Sequence, residues 1–376
     1  MNEKNRILLI TDAIGPIKSL RYQNLFSSLD NNVEIVILSY WPISYKFDRV
    51  CKITSIKSKQ KSYITSIISN RIPIFPDSYN VKIKEFKNQI KKLLLTKLYN
   101  NCIISMSPYS LIKLSKIIKE INPNIFIIGD MLDPFSFNMK YKSKINIKMA
   151  CVMERKYFPF YDSIIVLNEM ISDRYQYLYP EFIEKFQVIE YGVDEDFINK
   201  IKSYPENLSN SFTFLYAGSF YKKGRNPNNI YEAFSKMQKK CKLYIYGNYK
   251  MVLHPPKNSS ISYNHSVNRD ELAKITASAN ALVIVDNEYG YQVPGKTIET
   301  LATGKPILFI YNNEQSPTLK YVKEARGVVW AKNNKEDIIK GIETIIAGDY
   351  EKPYFDYSSY TWDKLMKKYK ELLYEG

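Results

Sequence analysis

Two glycine-containing loops hold the residue types best suited to chemistry. The first is Tyr216-Ala217-Gly218-Ser219-Phe220-Tyr221-Lys222-Lys223-Gly224-Arg225-Asn226-Pro227, which follows an apolar run and precedes a helical pattern over 228–237. Glycine lets the backbone approach a ligand, Lys and Arg bring positive charge to a phosphate, and a following helix start adds its dipole. Alone, such a loop reads equally well as an ordinary turn with solvated basic residues. The second is Tyr289-Gly290-Tyr291-Gln292-Val293-Pro294-Gly295-Lys296-Thr297-Ile298-Glu299. Pro294 sits where a helix can start, and Glu299 falls within its first two turns. Amides between Val293 and Lys296 can meet an anion, while the Glu299 carboxylate can accept hydrogen bonds from a diol. A nucleotide presents pyrophosphate and ribose at about that separation.

The elements that must position these loops come in two series of short apolar runs, each run followed by a turn and a helical pattern. This alternation implies βαβ units with parallel sheets. The first series runs through 6–11, 33–38, 102–105, 124–128, 163–167 and 186–189, and the second through 212–216, 242–246, 261–263, 281–285, 306–310 and 327–330. At roughly 150 residues per domain, 376 residues give about two domains. The polar stretch 201–211, with Pro205, reads as the linker, so the expected division is 1–204, 205–357 and a C-terminal helix over 358–376 that can pack back on the first domain. The fold expected is α/β, two doubly wound Rossmann-like domains facing a central cleft. Ligands of such sheets bind beyond the carboxyl ends of the strands, so both loops, each following a strand of the second domain, can face one ligand.

The segment Val293-Pro294-Gly295-Lys296-Thr297-Ile298-Glu299-Thr300-Leu301-Ala302-Thr303-Gly304-Lys305-Pro306 resembles the nucleotide-sugar signature of GT-B fold glycosyltransferases, particularly the family 4-like enzymes of bacterial polysaccharide synthesis. In the same order, 105–110, Gly129-Asp130-Met131-Leu132-Asp133-Pro134-Phe135, Glu190-Tyr191-Gly192-Val193-Asp194 and Ala217-Gly218-Ser219 are similar to further segments of that family. The resemblance extends from about residue 6 to 330. It implies a donor-phosphate loop at Gly218, Ser219 and Arg225 with Lys222 and Lys223 nearby, a diphosphate-facing loop at Val293, Pro294, Gly295 and Lys296, and a ribose-binding carboxylate at Glu299. It also implies base contacts around Tyr246, Gly247 and His265, and a loop at Gly15 near the transferred sugar. The implied activity is glycosyl transfer from a UDP- or GDP-sugar, with no cofactor, to a glycan or lipid-linked acceptor in surface polysaccharide assembly.

The chain departs from the family at one point. Retaining members carry two glutamates eight positions apart, and Tyr291 stands eight residues before Glu299. Glu288, three residues further away, is the candidate substitute. The only histidines are His254 and His265, so a base for an inverting reaction has to be a carboxylate, Asp130 or Asp133 being placed after a first-domain strand. Asp194-Glu195-Asp196 spells a metal-binding motif of another glycosyltransferase fold, but ahead of Phe197-Ile198 it reads as an acidic helix start. No metal is expected, because Arg225 and a helix dipole can neutralise a leaving diphosphate.

Charge adds a separate expectation. The net charge is +16, from 54 basic and 38 acidic residues, and residues 51–150 alone hold 18 basic against 5 acidic, a local +13. Residues 80–99 alternate apolar positions (Val81, Ile83, Phe86, Ile90, Leu93, Leu94, Leu98) with lysines, and Lys140, Lys142, Lys144 and Lys148 form a second cluster. Both read as basic surfaces suited to an anionic membrane face, besides the plain reading of a half-buried helix with solvated lysines. No apolar run reaches the roughly 18 residues needed to span a bilayer, and the N-terminal apolar stretch is short for a signal peptide, so a cytoplasmic protein, peripheral on the inner membrane face, is expected. The four cysteines are too far apart in sequence to read as metal or redox pairs. Two other functions fit the composition. A sugar-nucleotide epimerase would share the architecture but needs acid and base groups on both sides of the sugar. A nucleic-acid-binding protein would suit the charge and the 14% aromatic residues, but no nucleic-acid motif appears, so no nucleic-acid partner is expected.

Overall fold

The computed structural model describes residues 5–57, 75–138, 143–205, 211–221, 224–247 and 260–374. Lys222, Lys223, Lys140, Lys142 and His254 lie outside the described residues.

The chain forms two compact units, Met1–Glu190 with Trp362–Gly376, and Tyr191–Thr361. The first carries strands β1 (Arg6–Thr11), β2 (Glu34–Ser39), β3 (Val50–Ser55), β4 (Asn101–Ser105), β5 (Phe126–Asp130), β6 (Ser163–Val166) and β7 (Phe186–Val188), in the order β3-β2-β1-β4-β5-β6-β7. All neighbouring pairs are parallel. Its helices are α1 (Pro16–Ser28), α2 (Ile83–Thr96), α3 (Leu114–Ile121), α4 (Lys144–Tyr157) and α5 (Glu169–Leu178). The second unit opens with α6 (Glu195–Ser203) and has the parallel order β10-β9-β8-β11-β12-β13, formed by β8 (Phe212–Tyr216), β9 (Cys241–Tyr246), β10 (Ile261–Asn264), β11 (Ala281–Val285), β12 (Ile307–Tyr311) and β13 (Val328–Lys332). Its other helices are α7 (Asn228–Lys236), α8 (Arg269–Ser278), α9 (Thr297–Leu301), α10 (Thr318–Lys323) and α11 (Lys335–Ala347), and the last helix, α12 (Trp362–Tyr374), belongs to the first unit. Central strands such as β4 and β11 are buried along their whole length, as parallel sheets with helices on both faces require.

Three sequence expectations are corrected. The division falls at residue 190 and not near 205, because Phe197, Ile198 and Ile201 of α6 are committed to the core of the second unit, where α6 packs on α8. Strand β3 is absent from the apolar runs of the sequence because it lies at the sheet edge, where Ile53 is 40% exposed and Lys52 faces solvent. Helix α2 buries Phe86 and Ile90, whereas Val81 and Leu98 lie outside it and are exposed, so its apolar stripe is shorter than the spacing implied.

Helix α12 buries Trp362, Leu365, Met366, Tyr369 and Leu373 and packs on α1, with Lys370 Nζ 2.7 Å from Asp30 Oδ1. Beneath it lies a buried ion pair. Arg21 of α1 donates from Nε to Asp130 Oδ2 at 3.1 Å and from Nη1 to the Glu190 carbonyl at 3.0 Å, and both side chains are fully buried.

A second buried carboxylate titrates against the fold. Glu154 accepts from the Ser136 amide (3.1 Å), Tyr175 Oη (2.8 Å) and Tyr179 Oη (2.5 Å). Burial still raises its pKa, against the lowering by those three donors. A raised folded-state pKa favours the protonated form, so this group stabilises the fold below its unfolded pKa and loses that contribution as pH rises through the folded value. Glu154→Gln removes the titration and keeps an oxygen for the Ser136 and Tyr175 donors. Its stability relative to the parent should therefore improve as pH rises from about 4.5, measured by urea unfolding across that range.

Candidate functional site

In each unit the strand order reverses at one point, between β1 and β4 and between β8 and β11, where the loops after the two strands diverge. A cation ties those loops together in both. In the first unit Lys18 Nζ donates to Asp12 Oδ1 (2.9 Å) after β1 and to the Ser107 carbonyl (2.6 Å) after β4. In the second unit Arg225, after β8, donates from Nη2 to Asn287 Oδ1 (2.7 Å) after β11. Arg225 Nη1 also reaches Tyr216 Oη (3.4 Å) and the Ser219 carbonyl (3.5 Å), while Nε is buried with no hydrogen-bond partner among the described residues.

The glycines of the first loop serve close backbone approach. A Cβ on Gly247 would lie 2.1 Å from the Gly218 carbonyl oxygen, and one on Gly218 would meet the Tyr216 ring at 2.7 Å. Gly218 and Gly247 are thus brought together, with Gly247 held by its amide on the Asn264 carbonyl (3.2 Å) at the end of β10. Tyr246 is half-buried beside them in sequence, and His265 is exposed just beyond β10.

Glu288 has another job than the one expected. Its Oε2 accepts from the Gly224 amide (3.2 Å) and its Oε1 from the Asn226 amide (3.3 Å), while its own amide donates to the Gly224 carbonyl (2.8 Å). Both carboxylate oxygens shape the loop that carries Arg225. Asp130 is corrected for a similar reason: a fully buried carboxylate paired with Arg21 is not placed to take a proton from an acceptor. Asp133 is half-buried and Gly15 exposed, with nothing within 4 Å of an added Cβ.

The second loop leaves β11 through Asp286 and Asn287. Asp286 is buried and accepts from Thr318 Oγ1 (2.7 Å); burial raises its pKa against the lowering by Thr318, Ser316, the Asn287 amide and Arg225. Asn287 Nδ2 donates to the Gln292 carbonyl (2.7 Å), folding the loop so that Val293, Pro294, Gly295 and Lys296 enter α9. Gly295 and Lys296 are exposed. The protein around the Lys296 stem pulls its ammonium below the ordinary lysine value, with Glu299 opposing and Arg269 adding to the shift. Glu299 Oε1 accepts from Arg269 Nη2 at 2.7 Å. The acidic triplet is a helix start: Asp194 caps α6 by accepting from the Phe197 amide (3.2 Å), with Glu195 and Asp196 in the first turn.

Sequence reasoning missed Asn287, Asp286 and Arg269. Asn287 and Asp286 close strand β11 beside the chosen Glu288, so position after a strand was the available signal. Arg269 had none, since its partner Glu299 lies 30 residues away.

No protein-family model matches the chain, nor does any curated protein. Solved structures do. A glycosyltransferase from Rickettsia africae superposes with a TM-score of 0.62 at 13% identity, over 99% of this chain and 98% of that one. The Anabaena HepE protein, solved in complex with UDP and glucose, gives 0.60 at 10% identity over 97% and 94%. A UDP-N-acetylglucosamine 2-epimerase gives 0.55 at 9% identity over 98% and 95%. At these identities the likeness is one of fold: two parallel-sheet α/β units, the two Rossmann-like domains of GT-B structures.

Proposed function

We propose that the chain is a glycosyltransferase that binds a UDP- or GDP-sugar on its second unit and an acceptor hydroxyl on its first. The observation that carries this reading is Arg225, a half-buried cation held by Tyr216, Ser219 and Asn287 at the strand-order reversal. A pre-oriented guanidinium there suits a diphosphate, with the amides of Gly295 and Lys296 as further donors and Glu299 for the ribose. In the reaction the bond from sugar C1 to the phosphate oxygen breaks, its electron pair leaving with the diphosphate. The acceptor oxygen bonds to C1 and gives up its proton. Asp133, half-buried after β5, is the candidate to receive that proton in an inverting course.

Thermal unfolding with UDP, GDP and their sugars is the direct check. A bound donor at 100 times its Kd stabilises by about 2.7 kcal/mol. Glu299→Ala should cut that shift by about half, the effect of a tenfold loss of affinity; a shift that survives it unchanged places the donor elsewhere. A second reading, a sugar-nucleotide epimerase, is favoured by the epimerase among the structural neighbours. It requires turnover of the nucleotide sugar with no acceptor added, whereas a transferase releases nucleoside diphosphate only when an acceptor is present.

The acceptor in this reading is a glycan or a lipid-linked glycan of surface polysaccharide assembly, met at the inner membrane face. No helix among the described residues is long and apolar enough to cross a membrane. Helix α4 instead exposes Ile145 (70%), Met149 (44%) and Val152 (61%) at i, i+4 and i+7, among the exposed basic residues Lys144, Lys148, Arg155 and Lys156, and its Glu154 is buried. An apolar stripe flanked by cations, of which Arg155 also pairs with Glu181 at 3.1 Å, fits anionic headgroups, at about 1 kcal/mol per basic residue near the surface. The chain should float with anionic vesicles at low salt and detach at about 0.5 M salt, where the Debye length is short. Absence of flotation at low salt removes the membrane from the proposal.

A further inference from the structure

Arg269 lies outside both glycine-containing loops, at the start of α8, and joins two carboxylates that are distant in sequence. Its Nη2 is 2.8 Å from Asp194 Oδ2 and 2.7 Å from Glu299 Oε1. The guanidinium carbon stands 4.2 Å from the centroid of the Phe197 ring, and Phe197 is buried in the core of the second unit. Burial works against the charge of Arg269, but Glu299 and Asp194 outweigh it and hold the guanidinium above its usual pKa. Every member is fixed from a second side. Asp194 caps α6 through its other oxygen, and Asn268 caps α8 by accepting from the Glu271 amide at 2.9 Å. Glu299 sits on α9 with a side chain only 12% exposed.

We propose that Arg269 and Asp194 are positioning residues for Glu299. Arg269 takes Oε1 and so fixes the rotamer of the carboxylate before a ligand arrives, which leaves Oε2 to accept from a ligand hydroxyl. Asp194 shares the guanidinium and keeps it from swinging away with a bound anion. The three groups together carry one negative charge, so the carboxylate is oriented without being neutralised as an acceptor. A carboxylate already immobilised loses less freedom on binding than a free glutamate does. The acidic Asp194-Glu195-Asp196 triplet thereby acts on the ligand site through Asp194 and a guanidinium. The proposal rests on the reading of Glu299 as the group that binds the ribose diol.

Titration calorimetry on the full chain with UDP, GDP and their 2′,3′-dideoxy analogues separates the two. The parent should prefer the ribose form about tenfold, the size of one hydrogen bond to a charged group. Arg269→Gln and Asp194→Asn should cut that preference to about twofold while binding the dideoxy form within about twofold of the parent, since they disturb only the carboxylate that reads the diol. Asparagine still caps a helix, so Asp194→Asn decides the matter if Arg269→Gln does not fold. A merely structural role would weaken both forms equally, and that outcome overturns the proposal. So does a parental preference in both variants when Glu299→Gln has lost it, and in that case the reading of Glu299 stands. If Glu299→Gln keeps the preference, or no diphosphate binds the parent, the reading of Glu299 falls and the proposal with it.

Discussion

Asp130→Ala should lower the unfolding free energy of the first unit by about 3–5 kcal/mol, the cost of leaving one partner of a buried ion pair without the other. Arg21 and Asp130 are both fully buried. With Asp130 gone, the guanidinium keeps the Glu190 carbonyl at 3.0 Å but loses the carboxylate that its Nε meets. Asp130→Asn should cost less, because an amide oxygen can still accept from Nε. Replacing the pair together, as Arg21→Met with Asp130→Leu, should recover much of the loss; part remains, since Arg21 also serves the Ile189 and Glu190 carbonyls. Urea unfolding of the three variants measures this directly, and a cost below about 1 kcal/mol for Asp130→Ala contradicts the burial of the pair. The same set separates a stabilising from a chemical role. Asp130→Asn, once folded, should retain turnover near the parental rate, whereas a general base would lose about a hundredfold or more.

That carboxylate shows where the sequence is readable and where it is not. Strand runs such as 6–11, 212–216 and 281–285 were legible to the residue, because strands buried on both faces of a parallel sheet leave an uninterrupted apolar record. The edge strand β3 left no such record. Residue type and position after a strand were enough to single out Gly218, Arg225 and Glu299, but these signals say nothing about which groups are already engaged. Asp130 follows a strand just as Asp133 does; only the packing of α1 brings Arg21, 109 residues away, onto Asp130. Glu288 is the candidate substitute for the glutamate that the family resemblance places at Tyr291, yet both its oxygens accept from the backbone amides of Gly224 and Asn226. The Asp194 motif reads correctly as a cap from local spacing, whereas its second contact, with Arg269, depends on how α6 meets α8. Local chemistry is written locally; the partner that engages each polar group is fixed by tertiary packing.

Arg225→Ala should reduce turnover by about 10²–10³-fold, the usual cost of losing one pre-oriented donor to a leaving group's charge. The argument lies in how the side chain is held. Asn287 takes Nη2, Tyr216 and the Ser219 carbonyl take Nη1, and Tyr216 Oη itself donates to the Ser219 carbonyl at 3.2 Å. These contacts fix the plane of the guanidinium, so a diphosphate meets a donor that need not reorganise as charge develops. Lysine cannot reproduce this. Its single ammonium has no planar fork to divide between Asn287 and Tyr216 and still present an edge to phosphate, so Arg225→Lys should recover at most about tenfold of the loss. Asn287→Ala should fall between, because it frees Nη2 and also unties the Gln292 carbonyl that folds the second loop. If the guanidinium stabilises the transition state, kcat drops and KM for the donor changes little in Arg225→Ala; if it only holds the donor, KM rises and kcat is kept. A variant with both constants at parental values removes Arg225 from the chemistry and leaves it as the tie between the loops after β8 and β11.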